Sequence, residues 1–255
     1  MSGPQQIGMF NRRISTPLPN LPIGADLAFR CITDDGGLYY CKDDVGGRRV
    51  RATEWFCTRM ASHLGISVAD CAIIENDSGD TFFGSLSPRS VADEVELAVY
   101  LTRAQHDETG RPFPWLGRYL AGLWTYDLFI DNPDRTLRNF VLYRDGGLQR
   151  ICGIDFAAAR MLSLQNDRFP VDNENTVKVG RTVRNLHGIH LDSAYEMLSR
   201  IAAVPGNVVQ RILGEMPEDW IDREQKEGLS DAWSDARRNA RIASLQARIT
   251  HEWQI

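Results

Sequence analysis

Four residues of this 255-residue chain have types and spacings that suit phosphoryl transfer; they are Lys42, Asp134, Asn139 and Asp155. A lysine can hold the α- and β-phosphates of ATP, and an aspartate can orient or deprotonate the attacking hydroxyl. An asparagine and a second aspartate offer the oxygen ligands that Mg²⁺ prefers. The D-x-x-x-x-N spacing in "DNPDRTLRNF" places the first aspartate and the asparagine on one loop, and a hairpin then returns the chain to "ICGIDF". The sequence therefore predicts a site for transfer from a metal-bound nucleotide.

The same residues also have an ordinary structural interpretation, because D-x-x-x-x-N is a common spacing. Asp134 and Asn139 could form turns after a helix, and Asp155 could be a cap. Two observations favour the site. An unpaired carboxylate in the apolar run "ICGIDFAAA" would be expensive, so Asp155 needs a metal ion or a hydrogen-bond partner. The chain also has only three lysines among its 29 Lys and Arg residues, so Lys42 stands where arginine is the default cation and where a compact point charge is suited.

The surrounding elements predict an α+β chain with a small β-rich lobe followed by a larger, mostly helical lobe. The first lobe, residues 1–84, is expected to contain a Pro- and Gly-marked loop (15–24), strands over 24–33 and 38–42 joined by the hairpin signal "DDGG", a helix over 48–64 and a strand over 66–75. The second lobe, residues 85–255, is expected to contain helices over 92–105 and 115–130, the hairpin before Asp155, a segment of weak periodicity (157–188) and further helices from about 191. Binding clefts favour such junctions between lobes.

Composition and charge narrow the function classes. The net charge of −5 and the pI of about 5.6 disfavour general nucleic-acid binding. The Arg-rich segment 235–248 is predicted to be a solvated helix face. Five cysteines without a CxxC pair predict reduced thiols in an intracellular protein. No apolar run reaches the ~18 residues that a membrane span needs, and the N-terminus lacks an apolar signal core, so we expect a cytoplasmic protein.

Several stretches of the chain resemble HipA-like kinases, which share the protein-kinase-like fold with phosphatidylinositol kinases. "DNPDRTLRNFVL…ICGIDF" is similar to the family's catalytic loop and metal-binding strand, with Thr136 in the place of the histidine of the lipid kinases' D-R-H. "ISTPLPNLPIGADLAFRCITDDGGLYYCK" is similar to the opening of compact HipA-like domains, and "ATEWFCTRMASHLGISVADCAII" to the helix and strand that follow. "EMPEDW" (215–220) resembles a C-terminal feature of the same domains. The resemblance implies a bilobal protein-kinase-like fold.

The resemblance also implies a role for each matching position. Lys42 would bind the ATP phosphates and pair with Glu54, and Asp134 would be the catalytic aspartate. Asn139 and Asp155 would be the Mg²⁺ ligands. The segment over 15–24, with Ser15, Thr16 and Gly24, would be the phosphate-covering loop. Arg138, or Arg135, would steady either the γ-phosphate or the catalytic loop.

The implied activity is ATP- and Mg²⁺-dependent transfer of the γ-phosphate to a hydroxyl, with a protein Ser or Thr as the preferred acceptor. The alternatives are a lipid or small-molecule kinase of the same fold, an AMP-transferring enzyme, and a nucleotide-binding pseudokinase that acts as a regulatory module. Whether the protein has a regulatory protein partner is left open by the resemblance. The chain departs from related patterns in two ways: it has no G-x-G-x-x-G, and Asp155 is followed by Phe156 and Ala157 instead of the F-G of a DFG motif. It is also too short for the extra N-terminal subdomain of full-size HipA toxins, which leaves a toxin role and an antitoxin partner unsupported.

Two further groups of residues carry side chains that could do chemistry. His187 and His190 in "HGIH" could ligate a metal ion, but no third ligand lies nearby in the sequence. Thr176 and Thr182 lie where an activation segment would be, so each is a hypothetical site of autophosphorylation.

Overall fold

The computed structural model of the protein describes residues 11–19, 26–102, 115–165 and 167–250. Strands and helices are mixed along these residues, which confirms the predicted α+β class. The strands are β1 (Asn11–Leu18), β2 (Leu27–Thr33), β3 (Leu38–Lys42), β4 (Cys71–Glu75), β5 (Thr81–Leu86), β6 (Phe140–Asp145) and β7 (Leu148–Gly153). The helices are α1 (Val50–His63), α2 (Glu94–Thr102), α3 (Trp115–Phe129), α4 (Asn175–His187), α5 (Leu191–Ala202), α6 (Gly206–Gly214), α7 (Arg223–Ala232) and α8 (Asp235–Arg248).

The first five strands form a closed barrel in the order β1–β2–β3–β5–β4, and the parallel pairing of β1 with β4 closes it. The predicted "DDGG" hairpin between β2 and β3 is confirmed. Gly36 adopts a φ of 76° in the turn, where a residue without Cβ is favoured. The Asp35 carboxylate accepts hydrogen bonds from the Thr33 hydroxyl (2.6 Å) and the Gly37 N–H (2.9 Å). The hairpin thereby fixes the register of β3, whose last residue is Lys42.

The loop predicted over residues 15–24 is partly wrong, because its first four residues belong to β1. Thr16, Pro17 and Leu18 pair with residues of β2, so β1 extends through Leu18. Gly24 lies outside the described residues.

The strand predicted over 66–75 begins only at Cys71. The preceding residues leave the barrel and bond to the end of β7 instead. The Gly153 N–H donates to the Ser67 carbonyl (2.9 Å), and the Ala69 N–H donates to the Gly153 carbonyl (3.3 Å). The backbone hydrogen bonds of residues 67–69 thus connect the barrel to the β6–β7 hairpin.

The helical part packs around α3, which is buried along almost its whole length, as its apolar sequence predicted. One apolar core continues from α1 through α3 to α8. The predicted lobe boundary at residues 84 and 85 falls inside β5, so the division into two lobes stays a prediction. Helix α4 was not predicted; its buried residues Thr176, Val177, Gly180 and Val183 lie at helical spacing within the segment of weak periodicity. No helix among the described residues is long and apolar enough to cross a membrane.

Helix α8 is not the solvated basic face that its sequence suggested. Arg241 is 1% exposed, and it donates to the carbonyls of Leu128 (3.1 Å), Phe129 (2.6 Å) and Arg168 (2.7 Å). Leu128 and Phe129 end α3, where carbonyls lack partners within the helix. Burial lowers the pKa of Arg241 to about 10, so the guanidinium is still charged at neutral pH. The buried side of the basic helix therefore donates hydrogen bonds to the last carbonyls of α3.

Candidate active site

The β6–β7 hairpin brings Asn139 and Asp155 side by side, as its sequence predicted. Its register pairs Phe140 with Gly153, and the Ile154 N–H donates to the Asn139 carbonyl (3.0 Å). The residues that flank the two strands are therefore neighbours. The Asn139 side-chain Nδ2 donates to Asp155 Oδ2 at 3.0 Å.

A charge cluster of Lys42, Glu54 and Asp155 joins three parts of the fold. Lys42 Nζ, at the end of β3, lies 2.5 Å from Glu54 Oε1 on α1 and 2.8 Å from Asp155 Oδ1 after β7. Glu54 is 1% exposed, and its second oxygen accepts a hydrogen bond from the Phe156 N–H (3.0 Å). The geometry contains the Lys42–Glu54 pair that the resemblance implied, and it adds Asp155 as a second partner of the lysine.

Burial raises the pKa of Glu54 and the charge of Lys42 opposes that rise, whereas the pKa values of the other two members of the charge cluster shift toward their charged forms. Burial by itself would lower the pKa of Lys42, but the charges of Glu54 and Asp155 outweigh burial and raise that pKa above its ordinary value. Burial by itself would raise the pKa of Asp155, but the ammonium of Lys42 outweighs burial and lowers it. Asp155 also adopts a φ of 64°, a left-handed conformation that is uncommon for residues other than glycine. Its bonds to Lys42 and Asn139 hold the carboxylate in this place.

Asp134 is exposed on the loop before β6, and its described contact is with α4. Asn175 is the first residue of that helix, and its Nδ2 donates a hydrogen bond to Asp134 Oδ1 at 2.6 Å. The next residue, Thr176, accepts from the Arg135 N–H (2.9 Å) and donates to the Asn132 carbonyl (2.5 Å). The first turn of α4 therefore fixes the loop that carries Asp134.

Arg135 supports this loop from below. Its side chain is fully buried and makes two hydrogen bonds to the Asp127 carboxylate of α3, at 2.7 and 2.9 Å. It also donates to the carbonyls of Asn139 (3.1 Å) and Ile154, which flank the hairpin. Of the two roles that the sequence left open for Arg135, these contacts favour support of the loop. Sequence reasoning missed Asp127, although a lone acid in the apolar α3 signals a buried partner.

The remaining predicted nucleotide contacts that the structure describes are Arg138, Ser15 and Thr16. Arg138 is exposed on the loop after Asp134. The Ser15 hydroxyl donates to two carbonyls of β2, those of Ile32 (3.0 Å) and Thr33 (3.3 Å), and Thr16 is exposed on β1. The contacts of these residues with a nucleotide stay predictions.

Asp155 suits a metal ion better than Asn139 does in this side-chain conformation. The Asp155 side chain is 39% exposed and carries a hard, ionised oxygen pair. The Asn139 amide oxygen accepts hydrogen bonds from the Thr136 N–H (2.7 Å) and hydroxyl (2.6 Å), so it faces away from Asp155. Mg²⁺ usually takes one or two protein carboxylates and completes its shell with water and phosphate oxygens. Asp155 fits that pattern, whereas Asn139 fits it only after its amide rotates.

The other reactive residues have structural contacts. His187 Nε2 lies 2.7 Å from the Leu101 carbonyl, and His190 Nε2 lies 2.9 Å from the His187 carbonyl. Among the described residues, no group of three His, Cys, Asp or Glu side chains could hold a metal ion. Thr176 is fully buried, so a phosphate donor cannot reach its hydroxyl and the hypothesis of autophosphorylation there is wrong; Thr182 is exposed.

The C-terminal segment "EMPEDW" positions the helix that carries Glu54. The Trp220 ring is fully buried, lies edge-on to Trp55 of α1 at a centroid distance of 6.2 Å, and donates from Nε1 to the Thr81 hydroxyl (2.8 Å). Arg51 of α1 donates to Asp219 (2.8 Å). Sequence reasoning noticed this segment only by resemblance, and it could not connect the segment with α1.

A family model described as HipA-like kinase matches residues 18–247, which include Lys42, Glu54, Asp134, Asn139 and Asp155. The chain belongs to the HipA-like kinase family. Its membership makes the chain a kinase, and so a phosphotransferase, by family. No curated protein matches the chain.

The chain is similar to solved structures of two bacterial proteins. The crystal structure of the Helicobacter pylori proinflammatory kinase CtkA has a TM-score of 0.60 and 13% sequence identity, over 92% of this chain and 96% of that one. HipA of Shewanella oneidensis MR-1, solved with HipB and operator DNA, has a TM-score of 0.46 and 10% identity, over 83% of this chain and 58% of its own. The first likeness shows that this HipA-like kinase has a kinase fold.

Proposed function

We propose that this HipA-like kinase transfers the γ-phosphate of ATP, with Mg²⁺, to the hydroxyl of a protein Ser or Thr. The observation that supports the proposal is the arrangement of the charge cluster beside Asn139, with Asp134 exposed on the connecting loop. A structural ion pair would explain Lys42 and Glu54 alone. It would not explain why an ionised and partly exposed Asp155 faces the same lysine in a left-handed conformation.

Each residue has a separate task in the proposed reaction. Lys42 holds the α- and β-phosphates with a charge that its two acidic neighbours maintain. Asp155, together with Asn139 once its amide has rotated, would hold Mg²⁺, which neutralises charge on the β- and γ-phosphates when bound. Asp134 orients the acceptor hydroxyl and takes its proton while the oxygen bonds to the γ-phosphorus and the bond from that phosphorus to the bridging oxygen breaks. Asn175 keeps Asp134 in place during this step.

The test is label transfer from ATP in the presence of Mg²⁺ and host lysate, with Asp134→Ala as the control. Label from γ-labelled ATP should appear on proteins, and α-labelled ATP should give none. Transfer of the α-label would instead indicate AMP transfer, and label confined to the lipid or small-molecule fraction would indicate another acceptor. ATP binding in a calorimeter without any turnover would support a pseudokinase and overturn the proposal.

A further inference from the structure

The exposed face of α4 continues from the residue that holds Asp134. Asn175, whose amide binds Asp134 at 2.6 Å, and Lys178 are both exposed and lie three residues apart. Side chains at this spacing lie on one helix face, with Cβ atoms about 5–6 Å apart. The Cα–Cβ bonds of a helix tilt toward its N-terminus, so the stem of Lys178 leans toward Asn175 and the catalytic loop.

Lys178 is an exposed cation that makes no ion pair with the described residues, as is Arg138 on the loop after Asp134. Asp172 pairs with Arg181 (2.8 Å), and Glu174 pairs with Arg160. Within the described part of the chain, no carboxylate lies within ion-pair distance of Lys178. It is also one of only three lysines in a chain with 26 arginines, and a lysine carries a compact charge on a thin stem.

The location of Lys178 assigns it to the acceptor side of the site. Its helix contacts the loop through Asp134, which faces the acceptor hydroxyl in the proposed function. The nucleotide phosphates have their own cation in Lys42, which lies at the end of β3 and is held by Glu54 and Asp155. A peptide that presents its hydroxyl to Asp134 therefore approaches the helix face that carries Asn175 and Lys178.

We infer that Lys178 selects acceptors that carry an acidic side chain beside the phosphorylated Ser or Thr. The inference rests on the proposed function and specifies its substrate class as acidic, hydroxyl-bearing protein segments. Lys178 acts as a specificity residue, through attraction between its ammonium and a carboxylate of the substrate. Since the lysine is exposed, the effect should weaken as salt rises.

The experiment measures kcat/KM for γ-phosphate transfer to a positional-scanning set of Ser/Thr peptides whose flanking residues are Asp, Glu, Ala, Lys or Arg. The wild-type protein should prefer acid-flanked peptides. Lys178→Met should lower kcat/KM for them by about three- to tenfold, mostly through KM, as expected for one partly exposed charge pair. Lys178→Glu should shift the preference toward Lys- and Arg-flanked peptides. Lys226→Met, on α7, is the matched control and should change neither kcat/KM for acid-flanked peptides nor the preference among flanking residues.

Each outcome separates the inference from the proposed function. If the wild-type protein labels neither peptides nor lysate proteins, the proposed function fails and the inference fails with it. If label is transferred but acid-flanked peptides are not preferred, or if Lys178→Met slows all peptides equally, the inference alone is overturned. Thermal unfolding and the KM for ATP should be the same in Lys178→Met as in the wild type, because a purely structural role would change the first and a nucleotide-binding role the second.

Discussion

Replacing Arg135 by methionine should destabilise the protein by about 3–5 kcal/mol, the usual cost of removing one partner of a buried ion pair. Arg135 and Asp127 are 1% and 0% exposed and share two hydrogen bonds. Without the guanidinium, the Asp127 carboxylate would stay buried with only the Asn132 amide, at 2.8 Å, as its side-chain partner. The carbonyls of Asn139 and Ile154 would lose a donor as well.

Urea unfolding and calorimetry measure the effect. For a chain of this size, each kcal/mol shifts Tm by roughly 2–4 °C, so Arg135→Met should melt about 6–20 °C lower. The double variant Asp127→Leu/Arg135→Met removes both charges, so it should be more stable than the sum of the two single costs predicts. Arg118→Met is the control, because its pair with Asp192 is more than half exposed and should contribute less than about 1 kcal/mol.

Two results would refute this reasoning. One is a loss below about 1 kcal/mol in Arg135→Met, which would mean that the buried pair does not support the loop. The other is strict additivity in the double variant, which would mean that the two residues do not act on each other. Phosphate transfer should fall together with stability, because the same guanidinium spans the loop that carries Asp134.

Two other predictions concern the elements that position the site. In Gly180→Ala on α4, the new methyl group would overlap the Trp124 ring and push α4 away from α3, so the free energy of unfolding should fall by about 1–3 kcal/mol. In the control Gly228→Ala on α7, a Cβ meets nothing within 4 Å, so the free energy of unfolding should rise by about 0.5–1 kcal/mol. Thermal unfolding measures both variants, and equal effects would contradict the packing argument. Burial opposes ionisation of Asp35, but hydrogen bonds to its carboxylate outweigh burial and lower its pKa to about 2, against an ordinary 3.8. Between these two pH values the folded protein binds fewer protons than the unfolded chain, so the stabilisation from Asp35 is complete above pH 4 and is lost as pH falls toward 2. In urea unfolding, the loss of unfolding free energy in Asp35→Asn relative to the wild type should be full at pH 6 and should shrink below pH 4. A loss that stays constant with pH would contradict the low pKa.

The catalytic hairpin could be predicted from the sequence because its information is local. The "DGG" turn and the alternating strands determine that Asn139 and Asp155 become neighbours. The Lys42–Glu54 pair was expected only through resemblance, since it joins two separate elements, β3 and α1.

The supports of the site could not be predicted, because they depend on contacts between distant segments. Arg241 looked like a solvated cation, since charge patterning does not reveal that its helix packs against the end of α3. Thr176 looked like an exposed acceptor, and its burial follows from α4, whose apolar face is short and interrupted by Gly180. Residues 67–69 were predicted as the start of the strand over 66–75, and only the fold shows that they pair with Gly153.

In the proposed function, Asp134 serves the acceptor while Lys42 and Asp155 serve the nucleotide. The most direct measurement is the single-turnover rate of γ-phosphate transfer by Asp134→Asn, with Mg²⁺ and ATP at concentrations that saturate the site by calorimetry. We expect Asp134→Asn to bind ATP as the wild type does and to transfer phosphate about 10²-fold more slowly or worse. A variant that kept the wild-type transfer rate, or that lost ATP binding together with transfer, would contradict this division of roles.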